Sequence, residues 1–264
     1  MKIIHLQLNT STLKDPESII QFIKDNQIDV ACLQEVSYTI GTQSPLRNML
    51  PKGFYYSEGI NYIHESSNRV STEAIISKFP IIDEMRTYYN SPSNQPLVIK
   101  KEDELSGSVM NDVSSKDFPY SRGVKHSIKP RCVLSILVQT PSGFMKVINS
   151  HFNVSDLCTE TTQMFDMSKI VYSLIKNSKD YPTIFSGDLN IRAKSYSVEK
   201  IKEVLTCHTE EIKDTLAVNH VARKDFPEGL PIDHVFSKGM QHLSTKTVDI
   251  DFSDHKAIIS EFEM

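Results

Sequence analysis

The chain has no tryptophan, no CxxC pair among its 4 cysteines, only 9 glycines and no long apolar run in 264 residues. Each of these absences closes a class of protein. The longest apolar stretches, at 74–76 and 133–138, stop far short of the roughly 20 residues that cross a bilayer, so no transmembrane helix is expected. Scarce glycine and the lack of repeats or low-complexity tracts exclude collagen-like and solenoid chains. Cys32, Cys132, Cys158 and Cys207 are too scattered for a disulfide framework or a zinc site and read as reduced fillers. Charge of one sign is also missing. With 29 Lys plus Arg against 33 Asp plus Glu, net −4, a polyanionic partner must be held locally by metal ions and a few placed cations. The N-terminus runs from Met1-Lys2 into Ile3-Ile4-His5-Leu6 without the apolar region and cleavage site of a secretory signal, so a cytoplasmic protein is expected. No GxSxG elbow supports a serine hydrolase.

What remains is an ordinary globular composition, 39% hydrophobic and 23% charged, in which strand-like and helix-like segments alternate. That alternation implies α/β or α+β architecture, read as one domain over 1–264. Strands are expected at 2–8, 28–33, 73–77, 131–138, 144–149, 183–186, 232–236 and 257–262. Asp15-Pro16 forms an N-cap followed by Pro at the first helical position, before the apolar face Ile19, Ile20, Phe22 and Ile23. A second helix is expected within 158–176, where Met164, Met167, Ile170, Val171, Leu174 and Ile175 recur at helical spacing. Residues 88–129, rich in Ser, Asn, Lys and Asp, read as a polar surface insertion. Its cations Lys100, Lys101, Lys116, Arg122, Lys125, His126 and Lys129 could cover a polyanion, although interleaved acids also fit a solvated loop.

Polar residues suited to metal or phosphate chemistry sit where the apolar strands stop: Asn9, Glu35, Asn149-Ser150-His151, Gly187-Asp188-Leu189-Asn190 and, before the last strand, Ser253-Asp254-His255. Ile232-Asp233-His234 opens a strand. Singly, each has an ordinary reading as a turn residue, an N-cap or a structural histidine. Together, side chains at the rim of a sheet converge on one crevice.

In this order, Leu33-Gln34-Glu35, Asn149-Ser150-His151, Gly187-Asp188-Leu189-Asn190, Ile232-Asp233-His234 and Ser253-Asp254-His255 resemble the successive motifs of the endonuclease/exonuclease/phosphatase superfamily, the deoxyribonuclease I-like fold. The segment 74–81 is similar to that family's strand before the central insertion. The resemblance implies an α+β, four-layer αββα sandwich with the active site at one edge of two packed mixed sheets.

Phosphate-ester hydrolysis requires neutralised phosphoryl oxygens, an activated in-line water and help for the leaving oxygen. Mg²⁺ or Mn²⁺ prefers oxygen ligands, so Glu35 is the expected primary ligand, with Asp254 holding a second ion or sharing the first and Asn9 near metal and phosphate. Asp188 is suited to orient or deprotonate the water, and Asn190 to donate to a phosphoryl oxygen. His151 and His255 are expected at the scissile phosphate. The resemblance pairs His255 with Asp233 and His151 with Glu73, and places Arg131 at the phosphate.

The chain lacks the QETK-like element of abasic-site endonucleases, the cysteine-aspartate-arginine motif of inositol-polyphosphate phosphatases and the Trp before Asn9 of tyrosyl-DNA phosphodiesterases. The expectation is a monomeric, divalent-metal-dependent phosphodiesterase acting on DNA or RNA. The alternatives are a phosphatase of phosphoinositides or other small phosphate esters, a tyrosyl-DNA phosphodiesterase-like enzyme, and an inactive phosphate- or nucleic-acid-binding module.

Overall fold

The computed structural model describes residues 1–89, 94–100, 130–155, 158–177 and 179–264. In chain order they form β1 (Lys2–Asn9), α1 (Pro16–Asp25), β2 (Val30–Thr39), α2 (Pro45–Met49), β3 (Tyr55–His64), β4 (Arg69–Ser77), β5 (Ile81–Tyr89), β6 (Leu97–Ile99), β7 (Arg131–Thr140) and β8 (Gly143–His151). There follow α3 (Thr162–Lys176), β9 (Thr183–Asp188), α4 (Tyr196–Lys202), β10 (Thr206–Cys207), a 3-10 turn (Val221–Lys224), β11 (Asp233–Lys238), β12 (Gln241–Val248) and β13 (Ala257–Glu263).

The strands make two mixed sheets, ordered β12-β13-β1-β2-β4-β3-β6 and β10-β11-β9-β8-β7-β5. Three apolar layers hold them together. Ile3, Val30, Cys32, Ile75, Leu134, Ile136, Val147, Ile184 and Val235 pack between the sheets. Leu6, Leu8, Ala31 and Leu33 face the other way, onto Ile19, Ile20 and Ile23 of α1. On the second sheet Ile148, Phe185 and Phe236 face Met164, Met167 and Val171 of α3. The alternation of strand side chains thus separates sandwich core from helix-facing core and gives the expected αββα layering.

Helix α1 begins as its sequence predicts: Asp15 caps Ser18 N at 3.0 Å and Pro16 takes the first turn. Five strands beyond those expected, β3, β5, β6, β10 and β12, complete the sheets. Two expectations are corrected. The second strand does not end at Glu35; it runs to Thr39 through a bulge in which the pairing shifts from Leu33↔Ala74 to Val36↔Thr72. Within the supposed insertion, residues 88–89 finish β5 and 97–99 form β6 against β3. Lys101, Lys116, Arg122, Lys125, His126 and Lys129 lie outside the described residues.

Along the interior face the strands change character from one end of the sandwich to the other. Facing positions read Ile3, His5, Gln7, Asn9 on β1; Val30, Cys32, Gln34 on β2; Met145, Val147, Asn149, His151 on β8; and Ile184, Ser186, Asp188 on β9, nearly all of them fully buried. One end is hydrocarbon. The other gathers amides, carboxylates and imidazoles.

Candidate active site

At the polar end, sheet register alone places three functional groups in a row. His151 pairs with Asp188 across the parallel β8–β9 ladder, and Asp188 pairs with Asp233 across the antiparallel β9–β11 ladder. The close approach depends on Gly187, where a Cβ would lie 1.9 Å from the Ser150 carbonyl oxygen.

Asp188 is the hub. Its Oδ2 accepts from Asn9 Nδ2 at 3.0 Å and lies 3.6 Å from His151 Nε2 and 3.8 Å from His255 Nε2. Its Oδ1 accepts from the Asn190 backbone N at 2.9 Å, an Asx turn that holds Asn190 at φ 54°. Burial, and then the neighbouring Asp233 carboxylate, push the Asp188 pKa upward against the opposing pull of His255 and Asn9. An acid so placed suits proton transfer near neutral pH.

His255 Nδ1 lies 2.8 Å from Asp233 Oδ2, while Gln7 Nε2 donates to Asp233 Oδ1 at 3.3 Å. Burial opposes charging of His255, but the carboxylates of Asp233, Asp188 and Asp254 prevail and raise its pKa to about 10. His151 is held differently. Arg131 Nη1 stands 3.3 Å from its Nδ1, so that donor nitrogens face both of its ring nitrogens, Nδ1 and Nε2. Asn190 Nδ2 lies 3.0 Å from that Nε2 and donates to Phe152 O at 3.1 Å.

The Nδ1 contact expected for Glu73 is therefore taken by Arg131. Glu73 Oε1 instead accepts from Asn61 Nδ2 at 2.6 Å, and its Oε2 has no hydrogen-bond partner among the described residues. Burial raises the Glu73 pKa to about 8, only partly offset by Arg131, with Glu35 and Asp188 adding repulsion. Glu73 is thus tied to Asn61 and holds its proton near neutral pH.

Glu35 projects from the β2 bulge at φ 55°, a backbone state a β-carbon disfavours. Asn149 fastens that bulge: its Nδ2 donates to Leu33 O (2.9 Å) and Ala74 O (2.8 Å), the two carbonyls flanking the register shift, and its Oδ1 accepts from Gln34 Nε2 (2.6 Å). Asp254 adjoins His255 from the β12–β13 connection, and Ser253 Oγ donates to Asn9 O at 2.6 Å, tying that connection to β1. His234 is structural, with Nε2 2.7 Å from Ile191 O and Nδ1 3.0 Å from Thr209 Oγ1.

Asn9, His151, Asp188, Asn190, Asp233 and His255 are thus in one contact network, with Arg131 and Glu73 behind His151. Sequence reading missed the positioning amides Gln7 and Gln34 and the structural importance of Asn149. It also missed His220, whose ring stands edge-on to His255 with centroids 5.0 Å apart.

Asp188, Asp233 and His255 offer ligand atoms within 4.8 Å of one another and could hold a metal ion. Both Asp233 oxygens and His255 Nδ1 are already engaged in hydrogen bonds, however. Glu35 and Asp254, partly exposed, are oxygen donors of the kind a hard divalent cation prefers, and both act on the neighbouring His220 ring. The donor set fits such an ion.

A two-sheet sandwich flanked by helices, with paired carboxylates and imidazoles at one edge, defines the class of protein. Residues 6–255 match the model of the Endonuclease/Exonuclease/phosphatase family, and the chain belongs to that family, whose members are generally phosphoesterases. It is similar to a UPF0294 protein of Vibrio campbellii, 28% identical over 138 residues covering 51% of this chain and 46% of the relative. The match therefore spans less than half of that relative's length. Among solved structures, an endonuclease/exonuclease/phosphatase from Bacteroides vulgatus superposes with a TM-score of 0.70 at 14% identity, covering 100% of this chain and 99% of the other. D. rerio TDP2 complexed with single strand DNA product gives 0.66 at 13% identity (100% and 99%). A mannosyl-6-phosphatase from Bacteroides thetaiotaomicron gives 0.65 at 16% identity (99% and 100%). At these identities the likeness establishes the fold.

Proposed function

We propose that the chain is a divalent-metal-dependent phosphodiesterase that hydrolyses nucleic acid. The observation that carries this reading is the convergence on Asp188 of Asn9, His151, Asn190 and His255 within 4 Å at one buried sheet edge. In this reading Asp188, its pKa raised by burial, takes the proton of the attacking water. Asn190 and His151 contact the phosphoryl oxygens where charge develops, and the imidazolium of His255, maintained by Asp233, neutralises them. Arg131 orients the His151 ring from its Nδ1 side. Glu35, Asp254 and Asn9 would hold Mg²⁺ or Mn²⁺, which when bound supplies charge neutralisation at the phosphate and the leaving oxygen.

Two similar folds frame the choice of substrate: TDP2 is seen with single strand DNA product, and the Bacteroides protein is a mannosyl-6-phosphatase. The second reading is therefore monoesterase action on a small phosphate ester. A panel of single- and double-stranded DNA, RNA, a generic diester, a phosphoinositide and sugar phosphates, each with Mg²⁺ or Mn²⁺, tests both. Cleavage of DNA or RNA is expected. Release of inorganic phosphate without any diester cleavage would replace the nuclease assignment with the phosphatase one.

A further inference from the structure

His220 belongs to none of the motifs above. It sits on the loop between Leu216 and the 3-10 turn Val221–Lys224, and this loop is fixed on both sides. Ala217 N donates to Asp254 O at 2.9 Å, while Arg223 pairs with Asp214 Oδ2 at 2.7 Å and donates to Ala217 O at 3.1 Å. On either side of His220 the apolar Val218 and Val221 are left in solvent, 89% and 70% exposed, while the polar imidazole between them is half-buried against the site. That inverts the usual preference of these residue types. The ring stands at 88° to the His255 ring. Its Nδ1 accepts from Ala222 N at 3.0 Å, which fixes the proton on Nε2. No partner for that Nε2–H occurs among the described residues. His255, Asp254, Asp233 and Glu35 all act on the same ring, so it lies within the cluster of charged groups that makes the site.

We propose that His220 is a third phosphate-binding imidazole, donating its Nε2–H to the phosphate of the substrate beside His255. The inference rests on the phosphoesterase reading and adds a substrate-contacting residue to it. His220→Asn separates this role from capping, because an Asn side chain still accepts from Ala222 N but offers no donor at the Nε2 position.

The expected result, with Mn²⁺ present, is an unchanged melting temperature and a 10- to 100-fold rise in KM for bis(p-nitrophenyl) phosphate. Affinity for inorganic phosphate should fall similarly by calorimetry, as befits loss of one charge-assisted hydrogen bond. Unchanged KM and phosphate affinity in the folded variant would overturn the role of His220 while leaving the proposed function standing. Phosphate binding by the wild-type protein that weakens in the variant, without hydrolysis of any diester, would support His220 and count against the diesterase. Absence of both binding and hydrolysis would overturn both. If His220→Asn melts early, His220→Gln, which retains a terminal N–H donor, decides the matter. Phosphate affinity within about threefold of wild type supports the proposal, and a loss as large as that of Asn rejects it.

Discussion

At the scale of single residues the site is built by placing acids where the fold resists their ionisation. Asp188 lies 1% exposed beside the carboxylate of Asp233, and both burial and that neighbour oppose its charge. Asp188→Asn removes the base and the electrostatic conflict together. Turnover is expected to fall roughly 10²- to 10⁴-fold with KM little changed, since the group acts in the transition state. The melting temperature should equal or exceed that of wild type at pH 7, as measured by calorimetry beside the kinetics. A variant both inactive and markedly less stable would mean that Asp188 serves chiefly as a structural acceptor for Asn9 and Asn190. Glu35 poses the complementary case, a carboxylate carried on a left-handed residue. Glu35→Ala and Glu35→Gly should be equally inactive, but Gly should be the more stable by about 1 kcal/mol in urea unfolding, because only Gly adopts φ 55° freely.

At the scale of elements, the β2 bulge and the NSH segment of β8 form one device. Asn149 donates to Leu33 O and Ala74 O, the last pair of the ladder before the register shift, and so sets where Glu35 emerges. Asn149→Leu removes both of these hydrogen bonds and leaves a buried Gln34 Nε2 proton without its acceptor, at about 1–3 kcal/mol in all. A urea midpoint shift of that size is expected, with activity lost even under conditions where the variant is fully folded. A change smaller than 1 kcal/mol with full activity would show that the bulge holds itself.

This device also explains what could be read from the chain alone. Strands β1, β8 and β9 are visible because apolar runs end in chemically distinctive residues, and α1 because Asp15-Pro16 announces it. The strands β5 and β12 escape notice because they flank their sheets largely in solvent, so Asp83, Glu84 and Arg86, or Gln241, Ser244 and Lys246, obscure the alternation. The continuation of β2 past Glu35 is hidden because a bulge breaks the two-residue period. His220 carries no local signal at all; only packing against His255 reveals it. The motif residues were legible, whereas the amides that position them depend on register between two sheets.

For the whole molecule, gathering the polar groups at one end of a sandwich links stability to protons and to metal. Buried Glu73, with its pKa raised to about 8 from an ordinary 4.5, holds a proton in the folded chain that the unfolded chain releases. Its contribution is complete below about 4.5 and disappears as pH rises through 8. His255, raised to about 10 from 6.5, behaves likewise, its contribution being complete below 6.5 and lost towards 10. His5, fully buried, is pushed down to about 3, so its contribution is lost in the opposite direction, as pH falls from 6.5 towards 3. Between about 4.5 and 6.5, Glu73 and His5 offset one another. From about 6.5 to 8, Glu73 and His255 act together, and the metal-free protein should lose stability with a slope approaching two protons, each worth up to about 1.4 kcal/mol per pH unit. Glu73→Gln should remove one of those protons, halving the slope measured by urea unfolding in chelator across that interval. Mn²⁺ at about 100 times its Kd should add about 2.7 kcal/mol to wild type, and much less to Glu35→Ala. If chelator leaves the melting temperature unchanged in both proteins, the acidic end is a hydrogen-bonded pocket for the phosphate alone, and Glu35 is not a ligand.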